Sequence, residues 1–295
     1  MKTQYADVRG EHFTITHPQP YALGMSEALE IELAAAHDAV DDAVAILRDG
    51  WETRGSLERI TKAAKDFVTE VDLTSEAALK RALSAKTPDI GFFGEESGGD
   101  KLDRGRVWIA DPLDGTINYA TGSPLCGVML ALLDEGEPVL SVIDLPFLGH
   151  RLDARAGAGA RMNGERIVVA DVSCLAEGII SMGDAFHRTG PRHAAFLDLT
   201  ASVHREALRF RSVGSAAVNW SWLAAGQIQG VIVAHNNAYD VVPGHILARE
   251  AGAVVSDYAG DPLQLKSNGA MACVPGARGE LLALSAQLAS AATSS

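Results

Sequence analysis

The sequence predicts an α/β (α+β) protein of two packed layers. The first half reads as two helices followed by four closely spaced strand-like runs, and the second half alternates strand and helix. No repeat or low-complexity linker separates them, so the halves are expected to share an extensive interface. With 295 residues, 47% of them hydrophobic, the chain is long enough for a large core.

Residues 1–24 are polar, hold two prolines and show no periodicity, which predicts a loose N-terminal arm. An N-terminal α+β subdomain is expected over 25–168 and a C-terminal α/β subdomain over 169–295. From Ser26, the residues Leu29, Leu33, Ala36, Val40 and Leu47 recur at helical spacing, with Gly50 where a C-terminal cap belongs. A strand over Phe67 to Val71 precedes a second helix, which follows Asp72 and Thr74, presents Ala78, Leu79, Ala82 and Leu83, and closes before Pro88. The four strand-like runs are Ile90 to Phe93, Arg106 to Ala110, Gly127 to Leu133 and Pro138 to Asp144. Tight turns are expected at Asp134-Glu-Gly136 and Asn163-Gly164. Strands over Gly178–Met182, Arg209–Val213 and Gln229–Ala234 then alternate with helices over Pro191–Val203, Ala216–Ala225 and Val241–Ala251.

Composition narrows the partners. Acidic residues outnumber basic ones 38 to 25, a formal charge of −13, and no Lys/Arg cluster marks a groove for nucleic acid. Cys126, Cys174 and Cys273 are distant from one another and sit among apolar neighbours, as buried thiols of a reducing cytoplasm would. The longest apolar stretch, Leu125 to Leu133, is about half a membrane span, and residues 1–10 lack the apolar core of a signal peptide, so no membrane association is expected.

Five acidic residues at turn positions concentrate the chemistry. Glu95, Glu96, Asp111, Asp114 and Asp240 each follow an apolar run, so strand ends can bring them together. Like charges a few ångströms apart raise one another's pKa, so such a cluster calls for cations. Oxygen donors favour Mg²⁺, with Mn²⁺ as a substitute, over zinc. In Asp111-Pro-Leu-Asp114-Gly-Thr116 both carboxylates leave a strand, and Gly115 and Thr116 offer backbone N–H groups that a following helix would aim at a phosphate. A plain surface turn is the competing reading, since Asp, Pro and Gly are what turns prefer. A calcium loop fits badly, because Leu113 and Gly115 stand where oxygen ligands belong. Glu96 reads equally as a partner of the ligands or a solvated surface group, and Asp66 and Thr69 as turn or capping residues.

Four stretches together carry a family signature: Asp66-Phe-Val-Thr69-Glu-Val-Asp72, Phe93-Gly-Glu95-Glu96-Ser97, Trp108-Ile-Ala-Asp111-Pro-Leu-Asp114-Gly-Thr116-Ile-Asn118-Tyr119, and Tyr239-Asp240-Val-Val-Pro-Gly244 continuing to Gly252. Gly214-Ser215-Ala216-Ala217 adds a weaker match. From about residue 30 to 285 the chain resembles the inositol monophosphatase family of magnesium-dependent, lithium-sensitive small-molecule phosphatases.

By motif position the resemblance implies that Glu95, Asp111 and the Leu113 carbonyl hold one Mg²⁺ and that Asp111, Asp114 and Asp240 hold a second. It also implies a third, loosely held ion near Glu95. Asp72 and Thr116 match the pair that orients and deprotonates the attacking water. Gly115 and Thr116, with Ala216, Asp114 and Asp240, match phosphate and substrate contacts. The resemblance further implies a layered α-β-α-β-α sandwich, a homodimer, lithium sensitivity and a small phosphorylated metabolite as substrate. Inositol 1-phosphate is the default. Histidinol phosphate, a sugar bisphosphate and a 3'(2'),5'-bisphosphate nucleotide are rivals, because Val233 stands where polyol-binding members place a Glu. The reading from another class is a regulatory protein on a phosphatase scaffold, with catalysis incidental.

Overall fold

The structure, a computed structural model, describes residues 2–6, 12–16, 29–54, 60–63, 66–183, 191–234 and 237–292. In the segment expected as a loose arm, strands β1 (Lys2–Ala6) and β2 (His12–Thr16) pair antiparallel, consistent with the alternating β-branched and aromatic residues of His12-Phe-Thr-Ile-Thr16.

Two antiparallel helices open the main body, α1 (Glu30–Gly50) and α2 (Glu70–Lys86), joined through the short hairpin β3 (Ile60–Ala63) and β4 (Asp66–Val68). The strand expected to reach Val71 stops at Val68, because Thr69 is extended and caps a helix that begins at Glu70. Gly50 is the last residue of α1 and not a left-handed cap. A β-carbon there would lie 2.7 Å from the Tyr119 hydroxyl, so the glycine makes room for the bond that Tyr119 donates to the Leu47 carbonyl at 2.7 Å.

The helix pair covers one face of an eight-stranded sheet ordered β12-β11-β10-β9-β8-β7-β5-β6. Its strands are β5 (Gly91–Gly94), β6 (Gly98–Gly99), β7 (Arg106–Asp114), β8 (Gly127–Asp134), β9 (Glu137–Leu145), β10 (His150–Arg155), β11 (Gly159–Met162) and β12 (Glu165–Ile167). The expected turns hold: Glu135 and Gly136 have φ of 49° and 82°, and Asn163 and Gly164 have 51° and 84°, the doubly left-handed form that suits two-residue hairpins. The six-residue helix α3 (Thr116–Thr121) separates β7 from β8.

The second half builds a five-stranded sheet ordered β14-β13-β15-β17-β16, from β13 (Ile179–Met182), β14 (Arg209–Arg211), β15 (Gly230–Val233), β16 (Val254–Ser256) and β17 (Ala270–Cys273). Helices α5 (Ala216–Ala224) and α6 (Ala238–Glu250) lie between the two sheets, whereas α4 (Pro191–Glu206) and α7 (Arg278–Ala292) cover the outer face. The result is the expected α-β-α-β-α layering. One apolar core runs through both halves, from Leu47, Leu79 and Leu130 to Trp220, Ile246 and Ala272. β10–β12, β16, β17 and α7 were not marked by any expectation; in β10 only Leu152 and Ala154 are apolar and buried, too short a pattern to mark a strand.

Helix α6 begins at Ala238, earlier than the expected Val241, which puts Pro243 inside the helix and moves Asp240 from a turn into the first helical turn. Trp220 of α5 is fully buried and its indole N–H donates to the Asp240 carbonyl at 3.0 Å. A β-carbon on Gly244 would lie 2.0 Å from that indole ring. Gly244→Ala therefore forces α6 off Trp220. We expect a loss of about 1 to 3 kcal/mol in urea unfolding; an unchanged midpoint would show that the contact relaxes without cost.

Candidate metal centre and active site

Asp111 and Asp114 lie on β7, three residues apart, so a regular strand would point them to opposite faces. The ladder to β8 is irregular between them: Asp111 pairs with Met129 and Asp114 with Gly127, so Pro112 and Leu113 oppose Val128 alone. That extra residue is a bulge, and it returns both carboxylates to the same side. The Leu113 amide donates to Asp111 Oδ1 at 3.0 Å and holds the bulge.

Asp240 completes the cluster from α6. Oxygen atoms of the buried Asp111, Asp114 and Asp240 all lie within 4.8 Å of one another. Glu95 joins from the end of β5: its amide donates to the Ala110 carbonyl at 3.0 Å, and Asp111 lies within hydrogen-bonding reach of both Glu95 and Asp240. The expected convergence of remote segments is thus present.

Burial, followed by the charges of Glu95, Asp114 and Asp240, holds the Asp111 carboxyl well above the usual carboxylate range. Asp240 is raised likewise, by burial and then by Asp114 and Glu95. Asp114 is raised by burial, offset by bonds from the Ser215 hydroxyl and the Ala217 and Ala216 amides. Those amides donate at 2.9 and 3.0 Å, so the N-terminus of α5 clamps Asp114 and the Ala216 amide is spent on that carboxylate. An all-oxygen donor set that is unfavourable as bare anions fits a hard divalent cation.

Neighbouring the cluster, Asp72 occupies the third position of α2 and is almost fully buried. Its Oδ2 accepts from the Thr69 amide at 2.8 Å and the Thr69 hydroxyl at 2.5 Å, while Oδ1 accepts from the Thr116 hydroxyl at 2.9 Å. Burial raises the Asp72 pKa and these bonds oppose the rise. The Thr116 hydroxyl also stands 3.1 Å from the Leu113 carbonyl, and its one proton serves one acceptor at a time. Gly115 has φ of 82°, and a β-carbon there would crowd the Leu125 carbonyl at 3.0 Å. The helix after it has only six residues, so the expected dipole contribution to an anion is small, and local amides remain as the donors.

Several residues of this site escaped sequence reasoning. Ser75 donates to the Pro112 carbonyl at 3.1 Å, and Glu76 accepts from the Glu96 and Ser97 amides. Their signal was a carboxylate sharing a helical face with Leu79 and Leu83, an odd place for a charge. Asn118 ties α3 to the second half by donating to the carbonyls of Leu125 and Val213, both at 2.7 Å. Asn237, which reads equally as a loop residue or a substrate contact, donates to Asp240 Oδ2 at 3.3 Å. His187, His235 and Asn236 lie outside the described residues, as does the side chain of Asp66. Glu96 is half-buried, and among the cysteines Cys126 and Cys273 are buried while Cys174 is only half-buried.

The model of the "Inositol monophosphatase family" matches residues 29–292, a span that contains every residue of this site. The chain belongs to the inositol monophosphatase family. It is 36% identical over 227 residues to the inositol-1-monophosphatase ImpA of Mycolicibacterium smegmatis, covering 76% of this chain and 81% of the relative. It is 31% identical over 252 residues to the Nus factor SuhB of Pasteurella multocida, covering 85% and 92%. Among solved structures, the Thermotoga maritima IMPase superposes with a TM-score of 0.79 at 28% identity, covering 88% of this chain and 98% of that one. As an inositol monophosphatase-family protein the chain is a phosphatase, a phosphoric monoester hydrolase. Among the described residues no helix is long and apolar enough to cross a membrane.

The raised carboxyls give a pH signature. Because the folded pKa values of Asp111 and Asp240 lie above the unfolded ones, the folded protein binds more protons, and its metal-free stability falls as pH rises from about 4 through the raised values. A cation takes the place of those protons. The Tm gained on adding Mg²⁺ is therefore expected to be larger at pH 7.5 than at pH 5, read by differential scanning fluorimetry; a larger gain at pH 5 would contradict this account of the cluster.

Proposed function

We infer that this protein hydrolyses a small phosphomonoester at a Mg²⁺-dependent centre, with inositol 1-phosphate as the reference substrate. The observation that carries this is the meeting of buried Asp111, Asp114 and Asp240 beside the Asp72–Thr116 pair. Glu95, Asp111 and the Leu113 carbonyl would hold one cation, and Asp111, Asp114 and Asp240 another, with a third near Glu95. Such ions supply Lewis acidity toward phosphoryl oxygens and lower the pKa of bound water.

The remaining work falls to the chain. Asp72, fixed by Thr69 through two bonds, accepts the proton of the attacking water by way of Thr116, whose hydroxyl lone pair orients that water. Gly115 and Thr116 amides hold the phosphate, and Ala216 borders it from α5. Attack in line inverts phosphorus as the P–O bond to the leaving group breaks, and the departing alkoxide takes a proton from water to leave as an alcohol.

Val233 bears on which alcohol leaves. It is buried at the end of β15, its carbonyl accepts from the Tyr258 hydroxyl, and its side chain can accept no hydrogen bond. A substrate hydroxyl facing it would lose about 1 to 3 kcal/mol. Phosphate release from inositol 1-phosphate, histidinol phosphate, fructose 1,6-bisphosphate and adenosine 3',5'-bisphosphate, each with Mg²⁺ and with Asp111→Asn as control, tests the reading. Activity on none of them, equal to the control, would remove its support. Lithium sensitivity and a homodimer follow from the family and are checked by inhibition at tens of millimolar Li⁺ and by light scattering.

A second reading, a regulatory role with incidental catalysis, is favoured by the likeness to the P. multocida Nus factor SuhB. A partner captured equally by wild type and Asp111→Asn, together with negligible turnover, would select it.

A further inference from the structure

Glu76 plays no part in the roles described so far, yet it is a carboxylate only 4% exposed, one helical turn beyond Asp72 on α2. Its two oxygens are used separately: Oε2 accepts from the Glu96 amide at 2.8 Å and Oε1 from the Ser97 amide at 2.9 Å. These are the two amides directly after Glu95. On the other side, the Glu95 amide is fixed to the Ala110 carbonyl at 3.0 Å, one residue before Asp111. The Glu95 backbone is therefore held from both flanks, by β7 before it and by Glu76 after it.

Space is reserved for this contact. A β-carbon on Gly94 would fall 2.3 Å from the Glu76 carboxyl carbon, so the carboxylate lies directly against the backbone that leads into Glu95. The same face of α2 carries Asp72, bonded to Thr116, and Ser75, bonded to the Pro112 carbonyl. One rigid helix thus spaces three segments of the site: the Thr116 turn, the Asp111–Asp114 bulge and the Glu95 loop.

We propose that Glu76 is a positioning residue that sets divalent-cation affinity by holding the Glu95 loop in register with Asp111. The inference rests on Glu95 being a metal ligand. Glu76→Gln keeps the shape but presents an amide donor to one of the two backbone N–H groups, so one charge-assisted bond is lost and the other weakened.

The test is calorimetric titration of the full chain with MgCl₂, without substrate, on wild type, Glu76→Gln, Glu95→Gln and the double variant, with the metal-free Tm recorded for each. The expected result is a Mg²⁺ dissociation constant raised roughly ten- to hundredfold in Glu76→Gln. In the Glu95→Gln background the second substitution should add less than twofold, because the residue it positions no longer serves. Gly94→Ala, which displaces the Glu76 carboxylate while leaving it charged, should weaken Mg²⁺ in the same direction and decides the matter should Glu76→Gln not fold. Unchanged affinity in Glu76→Gln or Gly94→Ala, or an undiminished effect in the Glu95→Gln background, overturns the proposal. If Glu95→Gln itself leaves Mg²⁺ binding unchanged, the ligand role of Glu95 fails, and this proposal with it.

Discussion

Asp111→Asn is expected to remove nearly all phosphatase activity while making the metal-free protein more stable. Asp111 is the member of the cluster in reach of Glu95 and Asp240 together, and the Leu113 amide bonds to it. An asparagine keeps an oxygen for that amide, so the bulge survives, but the charge proposed to serve two cations is gone. Electrostatic stabilisation by bound metal is commonly several kcal/mol, so kcat/KM should drop by about 10³-fold or more. The opposite sign applies to the bare protein, where the ionised Asp111 is disfavoured by burial and by three neighbouring carboxylates. Neutralising it at pH 7.5 should raise the metal-free Tm by about 2 to 4 °C, equivalent to about 1 kcal/mol for a chain of this size. A variant that retains a tenth of wild-type turnover, or that melts lower than wild type without metal, would show that Asp111 is not the shared carboxylate.

Asp72→Asn should separate catalysis from metal binding. Three donors converge on this carboxylate, and the Thr116 hydroxyl is one of them. An asparagine that turns its NH₂ toward Thr69 sets a donor against the Thr69 amide, and one that turns it toward Thr116 makes that hydroxyl an acceptor whose own proton goes to the Leu113 carbonyl. Loss of the base and of the orienting bond should lower kcat by about 10² to 10⁴-fold with little change in Mg²⁺ affinity. Weakening the bond to the Thr69 amide at the start of α2 should also cost about 1 kcal/mol of stability. Parallel losses in kcat and in Mg²⁺ affinity would instead place Asp72 among the ligands.

The carboxylates of Asp111 and Asp114 were legible because a short oxygen-rich motif sets its donors at fixed separations, and here Pro112 and Gly115, which has positive φ, shape the turn locally. The strands and turns around them were legible for the same local reason, as Glu135-Gly136 and Asn163-Gly164 show. What sequence reasoning placed wrongly were features decided by distant neighbours. Gly50 reads as a cap but is there for Tyr119 of a later helix, and the start of α6 at Ala238 is fixed beneath Trp220. Glu76 drew no expectation, because the partners that explain its place on an apolar helical face lie 20 and 21 residues away.

By itself the chain's order of residues determined the two packed α/β layers and the oxygen-rich donor set, which depend on periodicity or on spacing within a few residues, and it carried the motifs whose resemblance pointed to the phosphatase family. Only the tertiary structure decided that a one-residue bulge turns Asp111 and Asp114 to the same side, that α5 clamps Asp114, and that one face of α2 spaces three loops. The reason is physical: local spacing sets which groups can leave the backbone together, whereas their burial, charge coupling and orientation arise only when segments separated by up to about half the chain close around the same point.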